Sequence, residues 1–195
     1  MSIKLSNTTS DFLDWNTMLK LVRDLYDEKN YQISLLIATG CFFGLRISDL
    51  LNLTWEQLIN NEYLEIIENK TGKRRVIKIN VKLQKHVIEC YKAIKPAKIE
   101  NKCFISQKGS VYSVQRINVI LKELKITYRL RIEHFSTHSF RKSFGRAIFN
   151  NSDTNAEFSL VKLCEIFNHS DIRTTRKYLG LRSEELSETY DLLTF

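Results

Sequence analysis

Long apolar runs, prolines and secretion signals are scarce or missing in this sequence. No stretch approaches about 20 uninterrupted apolar residues, the length of a membrane-spanning helix, so no such helix is predicted. The first residues lack the charged start and apolar segment of a secretory signal. Proline occurs once, at Pro96, and no repeat, low-complexity tract or flexible linker is present. We therefore expect a single domain over residues 1–195, long enough to bury a real core.

Cysteine is also sparse, and its spacing excludes several classes of protein. The four cysteines are far apart and form no C-x-x-C pair: Cys41, Cys90, Cys103 and Cys164. Such spacing implies neither a disulfide framework nor a metal site, and it indicates reduced, partly buried thiols. We expect a cytoplasmic protein.

Basic residues are abundant and unevenly distributed. The net charge of the whole chain is +8, but residues 1–69 carry −5, residues 70–146 carry +16 and residues 147–195 carry −3. Lysines scattered at random over a surface would not segregate in this way. The pattern favours a polyanionic partner, although a solvated basic face without a partner is an alternative at this point.

Apolar residues recur at helical spacing along most of the chain, with one interruption. Two short β-rich runs, residues 62–68 and 74–80, flank the sequence "NKTGK" and predict a hairpin. We expect a mostly α fold with a small antiparallel β-sheet, an α+β class. Asp11 and Ser48 are candidate helix caps, and Gly44 fits the residue just past a helix end. The predicted helical segments are residues 11–30, 31–43, 48–58, 81–95, 110–126, 136–151, 158–169, 171–180 and 183–193.

Two short motifs place charged residues where an anion could bind. In "THSFR", His138 and Arg141 share one face of the first turn of a helix, where free backbone N–H groups favour an anion. In "GLRISDL", Arg46 lies among apolar neighbours and needs a partner, because burial of an isolated charge is costly. That partner is either a carboxylate such as Asp49 or a bound phosphate.

Two further stretches combine cationic and proton-handling side chains. The predicted hairpin tip carries Lys70, Lys73, Arg74 and Arg75, either as an exposed basic turn or as a finger for a DNA groove. The stretch "FNHSDIRTTRKYLG", residues 167–180, contains a histidine, arginines and a tyrosine. A phenol has a pKa of about 10 and becomes a useful nucleophile only with a base or cationic surroundings.

Together and in this order, the motifs resemble the catalytic domain of the tyrosine recombinases, also called the phage integrase family. They are G-L-R-x-S-D-L, K-T-G on a hairpin, T-H-x-x-R and N-H-S-D-I-x-T-T-x-x-Y-L-G. The resemblance runs from about residue 11 to the C-terminus. It implies the tyrosine-recombinase catalytic-domain fold, and double-stranded DNA as the partner.

The resemblance assigns a role to each matching position. Arg46 and Arg141 match the two arginines that hold the non-bridging oxygens of the scissile phosphate, and Asp49 matches an acidic position that orients the first arginine. His138 matches the histidine that handles the proton of the attacking phenol. The nucleophile is Tyr178.

The remaining positions concern the phosphate and the leaving group. His169 matches a residue that donates to the phosphate. Lys70 matches the hairpin lysine that protonates the leaving 5′ oxygen, with Lys73 as a close rival. Further expected contacts to DNA are Lys73, Arg74, Arg75, Arg173 and Arg176.

The implied reaction is cleavage and rejoining of DNA through a 3′-phosphotyrosyl link, with no cofactor and no metal. No clustered carboxylates typical of metal-dependent nucleases stand out in the sequence. We expect a nucleoid-associated protein that forms a homo-tetramer on DNA and has no membrane partner. In solution it can be a monomer. Two alternatives are a DNA-binding protein that kept the fold without turnover, and a type IB topoisomerase.

Three features depart from the family pattern. Asn168 stands where glycine is usual, and asparagine tolerates a left-handed backbone. The hairpin lacks the usual proline. The family's N-terminal DNA-binding domain is not matched, so we expect either a fragment or a naturally short protein. Residues 183–195 form a predicted helix that either docks on a neighbouring subunit or folds back on its own domain.

Overall fold

The protein is mostly helical and carries one two-stranded antiparallel sheet, as the sequence predicts. The structure, a computed structural model, describes residues 11–152 and 156–181. No helix within these residues is both long and apolar enough to span a bilayer. The helices are α1 (Trp15–Asp27), α2 (Tyr31–Phe43), α3 (Ile47–Leu50), α4 (Trp55–Leu58), α5 (Val81–Ile94), α6 (Val114–Thr127), α7 (Thr137–Asn150), α8 (Ala156–Phe167) and α9 (Ile172–Leu179); the strands are β1 (Tyr63–Ile67) and β2 (Arg74–Lys78).

The described residues divide into two compact units, with the boundary after Ser143. The first unit is built around α2, which is buried on nearly all sides and packs against α1 and α5. A helix that is apolar all round must lie inside a core, which is why residues 31–43 become the centre of this unit. Gly40 of α2 lies against Phe140: a Cβ at this glycine would stand 2.7 Å from the Phe140 ring.

The hairpin of the first unit has one buried and one exposed face. Leu64 of β1 pairs with Ile77 of β2, and both belong to the core or pack against it. On the opposite face, Tyr63, Ile67 and Val76 are exposed. This alternation, one side chain inward and the next outward, follows from the pleat of a β-strand.

Two predicted helix caps are wrong. The side chain of Asp14, not that of Asp11, accepts hydrogen bonds from the first turn of α1, at Asn16 and Thr17. Asp11 accepts hydrogen bonds from the N–H groups of Phe12 and Glu133. Ser48 lies inside α3, because the predicted helix over residues 48–58 divides into two single turns.

The cysteines of the described residues are free thiols. Cys41, Cys90 and Cys103 are buried and Cys164 is half-buried, in agreement with the prediction of side chains that are at least partly buried. Burial raises the pKa of the Cys90 thiol to about 12, so it stays protonated at neutral pH.

The second unit has a small core of its own between the end of α7, α8 and α9. Leu160, Leu163, Phe167 and Leu179 are buried in it. Gly145 of α7 allows close packing here, because a Cβ at this position would stand 2.5 Å from Leu179. The predicted helix over residues 183–193 lies outside the described residues.

Candidate active site

The C-terminal end of α2 gathers arginine side chains in the first unit. Gly44 closes this helix in the left-handed conformation, with φ of 58°, as predicted. Arg141 Nη1 donates to the Gly44 carbonyl at 2.6 Å, and Arg75 Nη2 donates to the Phe43 carbonyl at 3.0 Å. Guanidinium groups suit this position, because the last carbonyls of a helix lack partners and carry partial negative charge. Two residues after Gly44, Arg46 begins α3.

A buried carboxylate, Glu68, holds Arg46. Arg46 Nη1 lies 2.7 Å from Glu68 Oε2, and Arg75 Nη1 lies 3.3 Å from Glu68 Oε1. Thr71 Oγ1 also donates to Oε2, at 3.0 Å. Burial alone would raise the pKa of Glu68, but the hydrogen bonds from Arg46 and Thr71 and the two positive charges lower it below its usual value. The carboxylate is therefore ionised at neutral pH, and sequence analysis missed it.

Asp49, the acid that the resemblance assigns to orient Arg46, makes a different observed contact. Its Oδ1 accepts a hydrogen bond from the backbone N–H of Asn69 at 2.8 Å, so it ties α3 to the hairpin. Asp49 is 4% exposed, and its Oδ2 has no hydrogen-bond partner within the described residues. The carboxylate seen in an ion pair with Arg46 is that of Glu68. We call Arg46, Asp49, Glu68, Arg75 and Arg141 the α2-end cluster.

The basic residues of the hairpin differ in exposure. Lys70 and Lys73, the two candidates for the general acid, are both exposed. Arg74 is exposed and pairs with Glu65 on the outer face, at 2.7 Å. The Arg75 side chain is only 16% exposed and donates to Glu68 and to the end of α2. Its contact with DNA stays a prediction.

The first turn of α7 is capped by the protein itself. The N–H of Thr137 donates to Asn118 Oδ1 at 3.0 Å, and the N–H of His138 donates to Ser136 Oγ at 3.3 Å. Ser139 N–H donates to the Ser136 carbonyl at 2.9 Å. The expectation of free N–H groups for an anion is therefore wrong for these three residues, and any phosphate contact at this turn comes from side chains.

His138 lies beside positive charge. Desolvation of its ring lowers its pKa, and the charges of Arg141 and Lys142 lower it further. The imidazole is therefore neutral at neutral pH, the state in which it can accept a proton.

The end of α8 fixes the position of His169 in the second unit. Asn168 adopts the left-handed conformation with φ of 49°, as the sequence predicts for a residue that replaces glycine. Its N–H donates to the Glu165 carbonyl at 2.9 Å, and the N–H of His169 donates to the Cys164 carbonyl at 3.0 Å. This pair of bonds is the Schellman motif, which sets the direction in which the chain leaves the helix.

His169 and Tyr178 are neighbours in this unit. Their ring centroids are 5.4 Å apart with an interplanar angle of 74°, and Phe167 lies 5.5 Å from the tyrosine ring. Thr175 Oγ1 lies 3.0 Å from His169 Nδ1, and the phenolic oxygen of Tyr178 is buried. We call Phe167, His169, Thr175 and Tyr178 the tyrosine cluster.

Thr175 was not singled out by sequence analysis. It precedes Tyr178 by three positions, so the two share a face of α9, and this spacing was a usable signal. The two arginines expected to contact DNA lie on the same helix. Arg173 is exposed, and Arg176 Nη1 lies 3.8 Å from Glu157 Oε1.

Acidic and sulfur ligands are not grouped for a metal ion in the part of the chain that the structure describes. No set of three or more His, Cys, Asp or Glu side chains there is close enough together. The two buried carboxylates of the first unit bind arginine or backbone N–H groups, as described above.

Comparison with known proteins identifies the family. The sequence model of the Phage integrase family matches residues 13–185. The probable integrase/recombinase YoeC of Bacillus subtilis (strain 168) is 30% identical over 164 residues, which are 83% of this chain and 84% of that protein. Tyrosine recombinase XerC of Rickettsia prowazekii (strain Madrid E) is 31% identical over 76% of this chain and 47% of its own length.

Solved structures show the same fold. XerH site-specific recombinase bound to a palindromic difH substrate has a TM-score of 0.70 at 19% identity, covering 98% of this chain and 55% of that one. A lambda integrase dimer bound to a core site has a TM-score of 0.64 at 15% identity, covering 92% and 50%. The chain thus spans about half the length of most of these relatives. It belongs to the phage integrase family, the tyrosine-type DNA strand transferases.

Proposed function

We propose that this chain is a site-specific DNA recombinase or integrase that cleaves and rejoins strands through a 3′-phosphotyrosyl intermediate on Tyr178, without a metal ion. The observation that carries the proposal is the tyrosine cluster: a phenol on α9 with an imidazole ring 5.4 Å away, held by a helix cap and a threonine. The proposal extends to this chain the activity named for its relatives, XerC and the probable integrase YoeC.

In the first step the phenolic oxygen of Tyr178 attacks the scissile phosphorus. A phosphorus–oxygen bond to tyrosine forms, the bond to the 5′ oxygen breaks, and the leaving strand ends in a 5′ hydroxyl. Attack by the 5′ hydroxyl of a partner strand reverses the step. Because the phosphodiester energy is stored in the covalent link, no ATP is required.

Arg46 and Arg141 are proposed to hold the non-bridging oxygens of the phosphate. A guanidinium presents several N–H donors in a plane and matches two phosphate oxygens at once. The protein contacts that support the proposal fix both side chains in advance, at Glu68 and at the Gly44 carbonyl. Donors that are held in place before the reaction stabilise developing charge most effectively.

Two proton transfers accompany the attack. His138 is proposed to accept the phenolic proton, and its lowered pKa supports this role because the ring is neutral at neutral pH. Lys70, with Lys73 as the alternative, is proposed to protonate the leaving 5′ oxygen. His169 is proposed to donate to the phosphate, with Thr175 positioning its ring.

Double-stranded DNA is the proposed partner, and four copies are proposed to assemble on it. The relatives XerH and lambda integrase were solved with DNA, the latter as a dimer on a core site. The charge of +16 over residues 70–146 suits a polyphosphate backbone. Residues 183–195 are proposed either to contact a neighbouring copy or to fold back on their own domain.

Covalent attachment to DNA tests the proposal directly. The protein is incubated in EDTA with labelled duplex DNA from the ends of the mobile genetic element proposed to encode it. The duplex is nicked near the expected cleavage site, so that the freed fragment diffuses away. A denaturing gel should show a slow protein–DNA band. Tyr178→Phe should lose this band and still shift DNA in a native gel, because only the nucleophile is removed. Tyr63→Phe, which removes the hydroxyl of an exposed tyrosine on the outer face of the hairpin, is the control and should retain the band.

Other results would redirect the assignment. A native-gel shift without a covalent band, also after fusion to a family N-terminal DNA-binding domain, would indicate a binding protein without turnover. A covalent band that persists in Tyr178→Phe would refute the nucleophile. Relaxation of a supercoiled plasmid without exchange of strands would indicate a topoisomerase.

A further inference from the structure

Glu68 occupies an unusual position for a carboxylate at the end of a hairpin strand. It is 3% exposed, although its neighbours Asn69 and Lys70 are exposed. Its two oxygens receive two guanidinium groups and one hydroxyl, from Arg46, Arg75 and Thr71. A buried carboxylate of this kind is stable only while such partners remain, so the side chain is fixed in one place.

Two carboxylates join α3 and the hairpin in opposite directions. Asp49 of α3 accepts a hydrogen bond from the hairpin backbone at Asn69. Glu68 of the hairpin accepts one from the side chain of Arg46, which begins α3. The two bonds together fix Arg46 relative to the turn that carries Lys70.

We propose that Glu68 is a positioning residue for DNA cleavage and acts through Arg46. It fixes the guanidinium relative to the hairpin turn, so that Arg46 can bind the phosphate while Lys70 of the turn protonates the leaving oxygen. The inference rests on the proposed function, because it needs Arg46 to bind the scissile phosphate. It replaces Asp49 with Glu68 as the acid that orients this arginine.

The same strand supplies a matched control. Glu65 and Arg74 also form an ion pair at 2.7 Å, but their side chains are 55% and 70% exposed. Exposed pairs of this type contribute little to stability, and neither residue is proposed to take part in the chemical step. Arg74 is a predicted DNA contact, so DNA affinity is measured beside the cleavage rate. Glu65→Gln therefore removes the same charge from the same strand without disturbing Arg46.

The test compares Glu68→Gln with Glu65→Gln in single-turnover formation of the covalent DNA complex. Glutamine keeps the length of the side chain but offers one acceptor oxygen where three donors now converge. We expect Glu68→Gln to slow cleavage by about 10- to 100-fold, as a small misplacement of a reacting group does. DNA affinity should change far less than the rate, and Glu65→Gln should cleave at the wild-type rate. The Tm of Glu68→Gln should fall, because Arg46 and Arg75 lose their buried counter-charge, so rates are compared at a temperature at which all variants are folded.

A double-mutant cycle separates positioning from general destabilisation. If Glu68 acts through Arg46, Glu68→Gln should slow an Arg46→Lys enzyme by less than about twofold, because interacting residues are not additive. Equal slowing in both backgrounds would overturn the proposal. So would a wild-type rate for Glu68→Gln.

Two further outcomes are decided in advance. If Glu68→Gln does not fold, Glu68→Asp is tested in its place, because the shorter side chain keeps the negative charge but moves it away from Arg46. Wild-type cleavage by a folded Glu68→Asp protein would overturn the proposal. If the wild type forms no Tyr178-dependent covalent complex, or Arg46→Lys has no effect on it, the proposed function fails instead, and the two failures are thus distinguishable.

Discussion

The α2-end cluster and the tyrosine cluster hold their functional side chains by different forces. In the first, Arg46, Arg75 and Arg141 are held by charge: a carboxylate and the last carbonyls of a helix accept their hydrogen bonds. In the second, His169 and Tyr178 are held by ring packing, a helix cap and one threonine hydroxyl. Ion pairs and carbonyl contacts hold the α2-end cluster, whereas packing and a hydroxyl hold the tyrosine cluster.

The difference suits the two kinds of work proposed for these residues. A phosphate clamp must present positive charge, and buried positive charge needs partners to be stable. A nucleophile and its neighbour must instead be held in one orientation, for which packing and neutral hydrogen bonds suffice. Each cluster should therefore respond most strongly to a different kind of substitution.

The largest effect is expected from Arg141→Ala, which changes the α2-end cluster. It removes a proposed phosphate contact and the bond to the Gly44 carbonyl. We expect covalent complex formation to fall by about 100- to 1,000-fold, the usual cost of one transition-state donor. The measurement is single-turnover cleavage of nicked DNA, with DNA affinity determined in parallel.

Arg141→Lys separates charge from geometry in the same assay. Lysine keeps the positive charge but cannot donate through a planar fork. A rate well below wild type in both variants supports the clamp. Cleavage by Arg141→Ala within threefold of wild type would rule out this role.

A smaller effect is expected from Thr175→Val, which alters the tyrosine cluster without adding or removing a charged side chain. The substitution removes the hydroxyl 3.0 Å from His169 Nδ1 and keeps the shape of a fully buried side chain. We expect a loss of about 1 kcal/mol in stability for one part-buried hydrogen bond. Cleavage should slow by about 10-fold as the imidazole loses its orientation.

The adjacent threonine is the matched control for this prediction. Thr174 is exposed, and its hydroxyl bonds to the capping residue Asp171, not to His169. Thr174→Val should cleave DNA at a rate near wild type. If both valine variants cleave alike, the hydroxyl of Thr175 does not position His169.

Local chemistry made much of the fold predictable from the sequence. The apolar run of residues 31–43 requires a buried helix. Gly44 and Asn168 tolerate the left-handed backbone conformation that commonly ends a helix. The misplaced caps at Asp11 and Ser48 have different causes. Ser48 lies inside α3, which begins at Ile47 without a side-chain cap, whereas Asp11 lost the position to a neighbouring acid. Several polar residues near a helix start can each cap it, and only tertiary contacts, such as that from Glu133 N–H to Asp11, decide among them.

The site was predictable where its residues belong to motifs and not where they act through distant contacts. Glu68 looks like the polar end of a strand, since nothing local shows that it faces Arg46, 22 residues earlier. Arg75 looks as exposed as Arg74, yet the alternation of the strand turns it inward. Burial of charge is a tertiary property, so the carboxylate partner of Arg46 in the α2-end cluster was not visible in the sequence.

The smallest expected effect is a shift in the pH dependence of cleavage. It tests whether the positive charge around Arg141, a member of the α2-end cluster, keeps His138 neutral. Burial first, and then the charges of Arg141 and Lys142, lower the pKa of His138. If neutral His138 accepts the phenolic proton, cleavage fails as pH drops through this lowered pKa. Lys142→Gln removes one of the positive charges, so the pKa of His138 should rise and the acid limb should move to higher pH.

The pH profile of covalent complex formation measures this shift, with Lys122→Gln as the control. Lys122 is an exposed lysine on α6, and its loss changes the net charge of the protein equally. An acid limb that moves only in Lys142→Gln identifies His138 as the titrating group, because of these two lysines only Lys142 acts on its pKa. An unmoved limb in a folded Lys142→Gln protein, or an equal shift in both variants, would assign the acid limb to another group.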